Sequence, residues 1–158
     1  MRKRPRSTVP LIATLAAVLA WPVAAHAQSA PEVPEIIEAL NAGDLETART
    51  LVAEGVDVDA PQGDGATALH WAAHRNDLDA ATLLIEAGAH VNAANGLGAT
   101  PLWLAAINGS ASMVERLLEA GANPNVALKM GETLLMTAAR SGDVETVERL
   151  LEHGADIN

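Results

Sequence analysis

His70 and His74 stand one helical turn apart, a spacing from which one helix face can offer two imidazoles to zinc. Trp71 follows His70, so the His-Glu-x-x-His arrangement of a zinc protease is absent. Asp57, Asp59 and Asp64 gather carboxylates within one short stretch. Calcium requires six to eight oxygen ligands at fixed loop positions, and no such loop motif surrounds these three. Glu86, Glu119 and Glu152 recur at an interval of 33 residues, which makes an acidic ridge and not a catalytic pair. No nucleophile elbow, P-loop or dinucleotide fingerprint occurs. The chain has no cysteine, which excludes disulfides, thiol chemistry and cysteine-based zinc sites. The residues therefore predict no catalytic, cofactor or metal site, and a protein that is not an enzyme.

The interval of 33 is the more general property. It separates Gly55, Gly88, Gly121 and Gly154, and equally Thr67, Thr100 and Thr133. Segments 63–95, 96–128 and 129–158 share ten identical columns, among them Leu69/Leu102/Leu135, the alanine pairs beginning at 72, 105 and 138, Leu84/Leu117/Leu150 and Asn92/Asn125/Asn158. A fainter copy precedes them, with Ile36, Ala39, Leu51 and Gly55 in register. Such a period means an array of one supersecondary unit, in which each unit packs on its neighbours. The unit reads as two short antiparallel helices and a turn. Thr100 followed by Pro101 is a helix start. Gly43, Asn76, Gly109 and Gly142 end the first helix, where a left-handed residue is least costly. Asp44, Asp77, Ser110 and Asp143 are placed to cap the second, whose apolar residues Val144, Val147, Leu150 and Leu151 keep helical spacing.

The pattern resembles the ankyrin repeat. The match is carried by Gly-Ala-Thr-Ala-Leu-His at 65–70, Gly-Ala-Thr-Pro-Leu at 98–102, Leu-Leu-Glu-Ala-Gly-Ala at 117–122 and Leu-Leu-Glu-His-Gly-Ala at 150–155. It implies an all-α ankyrin-repeat solenoid of helix-turn-helix units joined by β-turn or hairpin-like loops, over 35–158. Segment 35–62 reads as a degenerate N-terminal capping repeat, followed by repeats 63–95, 96–128 and 129–158. The last is expected to be truncated or frayed, because its second helix is as apolar as the internal ones. Histidine after the leucine survives only as His70, with Trp103 and Met136 in its place further on. The family's threonine–histidine hydrogen bonding is therefore not expected to carry over unchanged to the last two copies.

Residues 1–27 have the three parts of a secretory signal peptide: Arg2, Lys3, Arg4 and Arg6, then an apolar run from Leu11 to Trp21, then Ala25-His26-Ala27. Cleavage is expected between Ala27 and Gln28. Residues 28–34 read as an extended linker. The apolar run is short for a membrane span, and no cysteine offers a lipid anchor, so the expected product is periplasmic or secreted, without a stable membrane anchor. The remaining 131 residues would hold six basic and all 20 acidic residues, a formal charge of −14. So acidic a surface repels nucleic acid and anionic lipid and favours basic partners or solubility.

The resemblance also implies a concave face built from turn tips and the exposed side of the first helices. The variable columns that fall there are Ala66, Trp71, His74 and Arg75; then Leu97, Ala99, Leu104, Ile107 and Asn108; then Met130, Glu132, Thr137, Arg140 and Ser141. Trp71, Leu97, Ile107 and Met130 would form an apolar stripe, with Arg75 and Arg140 as orienting charges for carboxylates of a protein partner. Trp71 and Ile107 equally suit the groove between neighbouring first helices. The leading expectation is a monomeric, non-catalytic protein-binding scaffold. The alternatives are a structural segment of a longer solenoid, and a metal-binding, ligand-binding or enzymatic protein.

Overall fold

The computed structural model describes residues 33–128 and 131–157. Among them are eight helices: α1 (Glu35–Asn41), α2 (Leu45–Ala53), α3 (Ala68–Arg75), α4 (Leu78–Glu86), α5 (Pro101–Ile107), α6 (Ala111–Glu119), α7 (Leu134–Ser141) and α8 (Val144–Glu152). Consecutive helices pair, and the pairs stack so that α1, α3, α5 and α7 form one layer and α2, α4, α6 and α8 the other. The core runs between the layers. Its first-helix side is thin, because Ala72, Ala73, Ala105 and Ala106 are buried there, while Leu84, Met113, Leu117 and Leu150 fill the second-helix side.

Local chemistry sets the helix boundaries. Thr100 holds an extended conformation and its hydroxyl oxygen accepts from the Trp103 N–H at 3.3 Å, with Pro101 at the first helical position. Asn76 ends α3 at φ 55° and Gly142 ends α7 at φ 76°. Asp44 and Asp77 cap α2 and α4 by accepting from the N–H groups of Thr47 and Ala80. Ser110 and Asp143 differ from the expectation. They occupy the N-cap positions of α6 and α8 without bonding the helix backbone. The Ser110 hydroxyl turns instead to the side-chain oxygen of Asn76 in the preceding pair, and Asp143 accepts from the Thr146 hydroxyl. A short hydroxyl beside a polar group one repeat away is drawn across the boundary.

Tight turns join the pairs. The N–H groups of Gln62, Asn95 and Leu128 donate to the carbonyls of Ala66, Ala99 and Glu132, one turn per period. Gly65 sits at φ 83° where a Cβ would come within 3.2 Å of the Gly96 nitrogen, so the first and second of these turns approach too closely for a side chain.

A second set of bonds ties each turn to the next. The Asn92 side chain donates to the Gly121 carbonyl at 3.1 Å and accepts from the Asn123 N–H at 2.8 Å. Asn125 repeats this with the Gly154 carbonyl and the Asp156 N–H. Asp59 holds the same column but has no donor, and it accepts from the His90 N–H at 2.8 Å. Asparagine is suited to this column because its amide serves both an orphan carbonyl and an orphan N–H. Asp57 and Asp64 cap their own turns, accepting from the N–H groups of Asp59 and Ala66. The three aspartates are thus spent on backbone N–H groups.

Candidate functional site

The first-helix layer positions the residues that the repeat leaves variable. Thr67 starts α3, and its N–H donates to Nδ1 of His70 at 3.1 Å. The other ring nitrogen lies 3.0 Å from the Ala99 carbonyl. Nδ1 accepts and Nε2–H donates, an assignment that follows from the two backbone partners. His70 therefore joins α3 to the next turn as a neutral imidazole and has no lone pair left for a metal. In the next two copies the threonine cap survives without the histidine: the Thr100 and Thr133 hydroxyls accept from the N–H groups of Trp103 and Met136.

Burial pushes the His70 pKa down, outweighing its contact with the Ala99 carbonyl and the attraction of Asp64. The unfolded chain then takes up a proton more readily than the folded one, starting near the unperturbed 6.5. Stability is expected to be full above that pH and to fall as the pH drops below it. Urea midpoints from pH 8 to 5 should show the decline, and His70→Gln should flatten it. An equal slope in both proteins would mean that another group is responsible.

Trp71 projects from the same helix on the outer side. It is half-buried, its indole N–H donates to the Gln62 side chain at 3.2 Å, and its ring meets His74 edge to face with centroids 6.4 Å apart. Trp71, His74, Ala66, Asp64 and Asn95, with Leu104 of α5, surround an open hollow of about 180 Å³. One period on, Ile107 of α5 and Thr137, Arg140 and Ser141 of α7 surround another of about 220 Å³. The structure thus brings Trp71, His74, Leu104, Ile107 and Arg140 into a row of two shallow hollows between successive first helices. Leu97 lies at a turn tip and Ile107 at the end of α5, with 76% and 51% of their surfaces exposed. Such hollows are too open and shallow to enclose a small molecule, which usually has most of its surface buried.

Other residues of the predicted face are otherwise engaged. Ala99 and Ala66 are buried, so neither side chain is displayed; the turn folds them under, and the Ala99 carbonyl receives His70. Arg75 is not a free charge: its guanidinium donates to the Asn41 carbonyl of the preceding pair at 2.8 Å. Asn108, one period later, donates to the His74 carbonyl at 2.6 Å. The column of Arg75 and Asn108 braces neighbouring first helices by closing the carbonyl end of the earlier one. Arg140 is also paired, with Glu132 of its own turn, and Glu132 accepts from the Thr137 hydroxyl at 3.1 Å. Met130, Ala27 and Gln28 lie outside the described residues.

Gln62 and Asn95 were not singled out from sequence, yet both shape the first hollow. Gln62 fixes the indole, and the Asn95 side chain accepts from the N–H groups of Leu97 and Ala99, which sets the turn tip. Their common column carries the signal, since Gln62 and Asn95 are both side-chain amides one period apart. The Asp64 carboxyl, at the rim, is held below its usual value chiefly by the Ala66 N–H, so the hollow has an anionic edge. Among the described residues no helix is long and apolar enough to cross a membrane.

Residues 36–85 match the family described as ankyrin repeats (many copies), and residues 93–158 the family described as ankyrin repeats (3 copies). No curated protein matches the chain.

Proposed function

We propose that this chain, an ankyrin-repeat protein, is a non-catalytic scaffold that binds a protein partner along the exposed side of its first helices, after export directed by residues 1–27. Ankyrin repeats generally mediate protein–protein interaction. What carries the reading is the row of two hollows, where Trp71, Leu104 and Ile107 offer apolar surface beside polar rims. An aromatic side chain in a shallow hollow, ringed by polar groups, has the make-up of an interface anchor. Trp71 is held by Gln62, so little conformational freedom is lost when a partner covers it. The paired Arg140–Glu132 makes that edge of the site a hydrogen-bonding surface and not a lone cation.

The test is site-specific photocrosslinking at Ile107 and at Glu145 in the native host, followed by affinity measurement with the protein captured. Ile107 should crosslink to one partner and Glu145, on α8, should not. Trp71→Ala should weaken that complex about tenfold, as for residues contributing more than about 1 kcal/mol, while Glu145→Ala leaves it unchanged at matched thermal stability. Capture through Glu145 alone would place the interface on the second helices. The exported form should have the mass of a chain beginning at Gln28; a mass retaining Met1 to Ala27 would count against export with cleavage.

A further inference from the structure

The hollow between α3 and α5 is chemically one-sided. Trp71, His74 and Leu104 wall it, Asp64 and Asn95 stand at its edge, and no lysine or arginine lines it. The indole N–H is committed to the Gln62 side chain, and the His74 ring, set at 83° to the indole, covers at most one of its faces. What Trp71 adds to the hollow is therefore π surface, which is negative over the ring. The Gln62 side chain that accepts from the indole also donates to the Asp64 carboxyl, so one amide fixes both the ring and the acid. Asp64 is exposed and accepts from the Ala66 N–H as well. A carboxylate has about four acceptor positions, so these two bonds leave it able to take more donors.

The charges around the hollow have the same sign. Both arginines of the first-helix face are engaged within the chain, Arg75 with the Asn41 carbonyl and Arg140 with Glu132. One period before Trp71, the same column holds Glu38, which is exposed and lines a further hollow together with Glu35. The half of the face nearer α1 is thus acidic, in a chain whose formal net charge is −10. A carboxylate brought to this half would meet Asp64 and Glu38 with like charge. A cation would meet a ring face and a carboxylate together.

We propose that the protein partner of the first-helix face presents a basic segment, and that one arginine of that segment lies in this hollow, its guanidinium over the Trp71 ring and directed to Asp64. The inference rests on the reading of this face as a protein-binding surface. An open hollow of about 180 Å³ receives one side chain and not a folded unit. Leu104 lies where the methylene stem of an arginine would pass, and such stems bury readily on apolar surface while the charged head stays at the rim. Arginine suits the hollow better than lysine. Its planar group is more weakly hydrated than an ammonium, and it stacks on an aromatic face while its N–H groups still reach a carboxylate. Glu38 extends the attraction to a second basic residue of the same segment.

Four blocked peptides, Ala-Ala-Xaa-Ala-Ala with arginine, lysine, norleucine or glutamate at the centre, serve as probes. Each is titrated into the isotope-labelled full chain at low salt and followed by NMR at the Trp71 indole N–H and the Leu97 amide. The arginine peptide should shift both in a saturable way and leave the indole N–H of the buried Trp103 in place. Lysine should bind more weakly, norleucine more weakly still, and glutamate least. Asp64→Asn keeps an acceptor for the Ala66 N–H and should weaken the arginine peptide about two- to fivefold, the range for an exposed ion pair, without changing norleucine. Trp71→Leu, read at the Leu97 amide, should weaken it by about the same factor, the worth of a cation over an exposed ring. Glu145→Gln removes an acid on α8 and should change nothing; a loss equal to that of Asp64→Asn would reduce the effect to the overall charge of the chain and overturn the proposal. Norleucine or glutamate binding as well as arginine would overturn the cation and leave the protein-binding reading standing. No shift at Trp71 with any peptide would also overturn the proposal, while crosslinking at Ile107 decides separately whether the face binds a protein.

Discussion

Leu117→Ala is expected to lower the unfolding free energy by about 2–5 kcal/mol, the range for deleting a fully buried leucine side chain. Leu117 is buried in α6, which packs on α4, α5 and α8, so the cavity opens where two repeat boundaries meet. Collapse into it is limited. The layer opposite includes Ala105, Ala106 and Ala138, whose methyl groups cannot extend, and the chain has no phenylalanine or tyrosine to swing in. Met113 is the flexible neighbour on the same helix and sets the lower end of the range. The comparison that isolates the architecture is Leu150→Ala, the same column in the last pair and equally buried. Stability in a stack is a sum of unit terms and nearest-neighbour terms. Leu117→Ala weakens the middle, so helix content by circular dichroism and the fluorescence of Trp71 and Trp103 should shift together in urea. Leu150→Ala should release α7 and α8 first, with helix signal lost before the fluorescence changes. If Leu117→Ala moved the midpoint by less than Leu150→Ala, the middle of the stack would not be its mechanical centre.

Much of the fold was legible because the period does two jobs at once. It marks the residues that must be alike, and it aligns the residues that start and stop each helix. Thr100 before Pro101, Asn76 in a glycine column and the alanine pairs each name a local conformation, and the structure bears these out. What was not legible lies across repeat boundaries. Arg75 and Asn108 vary between copies, and variation has two physical causes that a sequence does not separate: freedom from packing, and different ways of meeting one neighbour's need. Here the need is a first-helix carbonyl, at Asn41 and His74, and two unlike side chains both supply a donor to it. Ala99 was misplaced for another reason. A small residue beside a turn suits a displayed tip and a tucked one equally well, and only the bond from His70 to its carbonyl decides. Trp71 and Ile107 were legible as positions but not as environments, since the hollow around Trp71 depends on Gln62 reaching across nine residues of chain.

Gly121→Val should cost about 1–3 kcal/mol, the strain of forcing a β-branched residue into a left-handed conformation. Gly121 follows α6 at φ 90°. Its N–H donates to the Leu118 carbonyl and that of Ala122 donates to the Leu117 carbonyl, each at 2.9 Å, so the reversal satisfies two orphan groups at the end of the helix. A Cβ here would meet nothing within 4 Å, which assigns the cost to the backbone and not to a clash. Gly121→Asn, whose side chain tolerates this region, should cost well under half as much. The strain also has a route beyond its own turn. If valine pulls the peptide toward negative φ, the Gly121 carbonyl leaves the Asn92 side chain that holds it from the preceding turn. A cycle with Asn92→Ala distinguishes the cases: additive losses in the urea midpoint mean that the strain stays local, and a double variant no worse than Gly121→Val means that the bond had already broken. An unchanged midpoint for Gly121→Val would show that α6 does not end in this left-handed turn. The glycine column would then mark something other than the conformation that lets one helix pair hand its carbonyl to the asparagine of the pair before it.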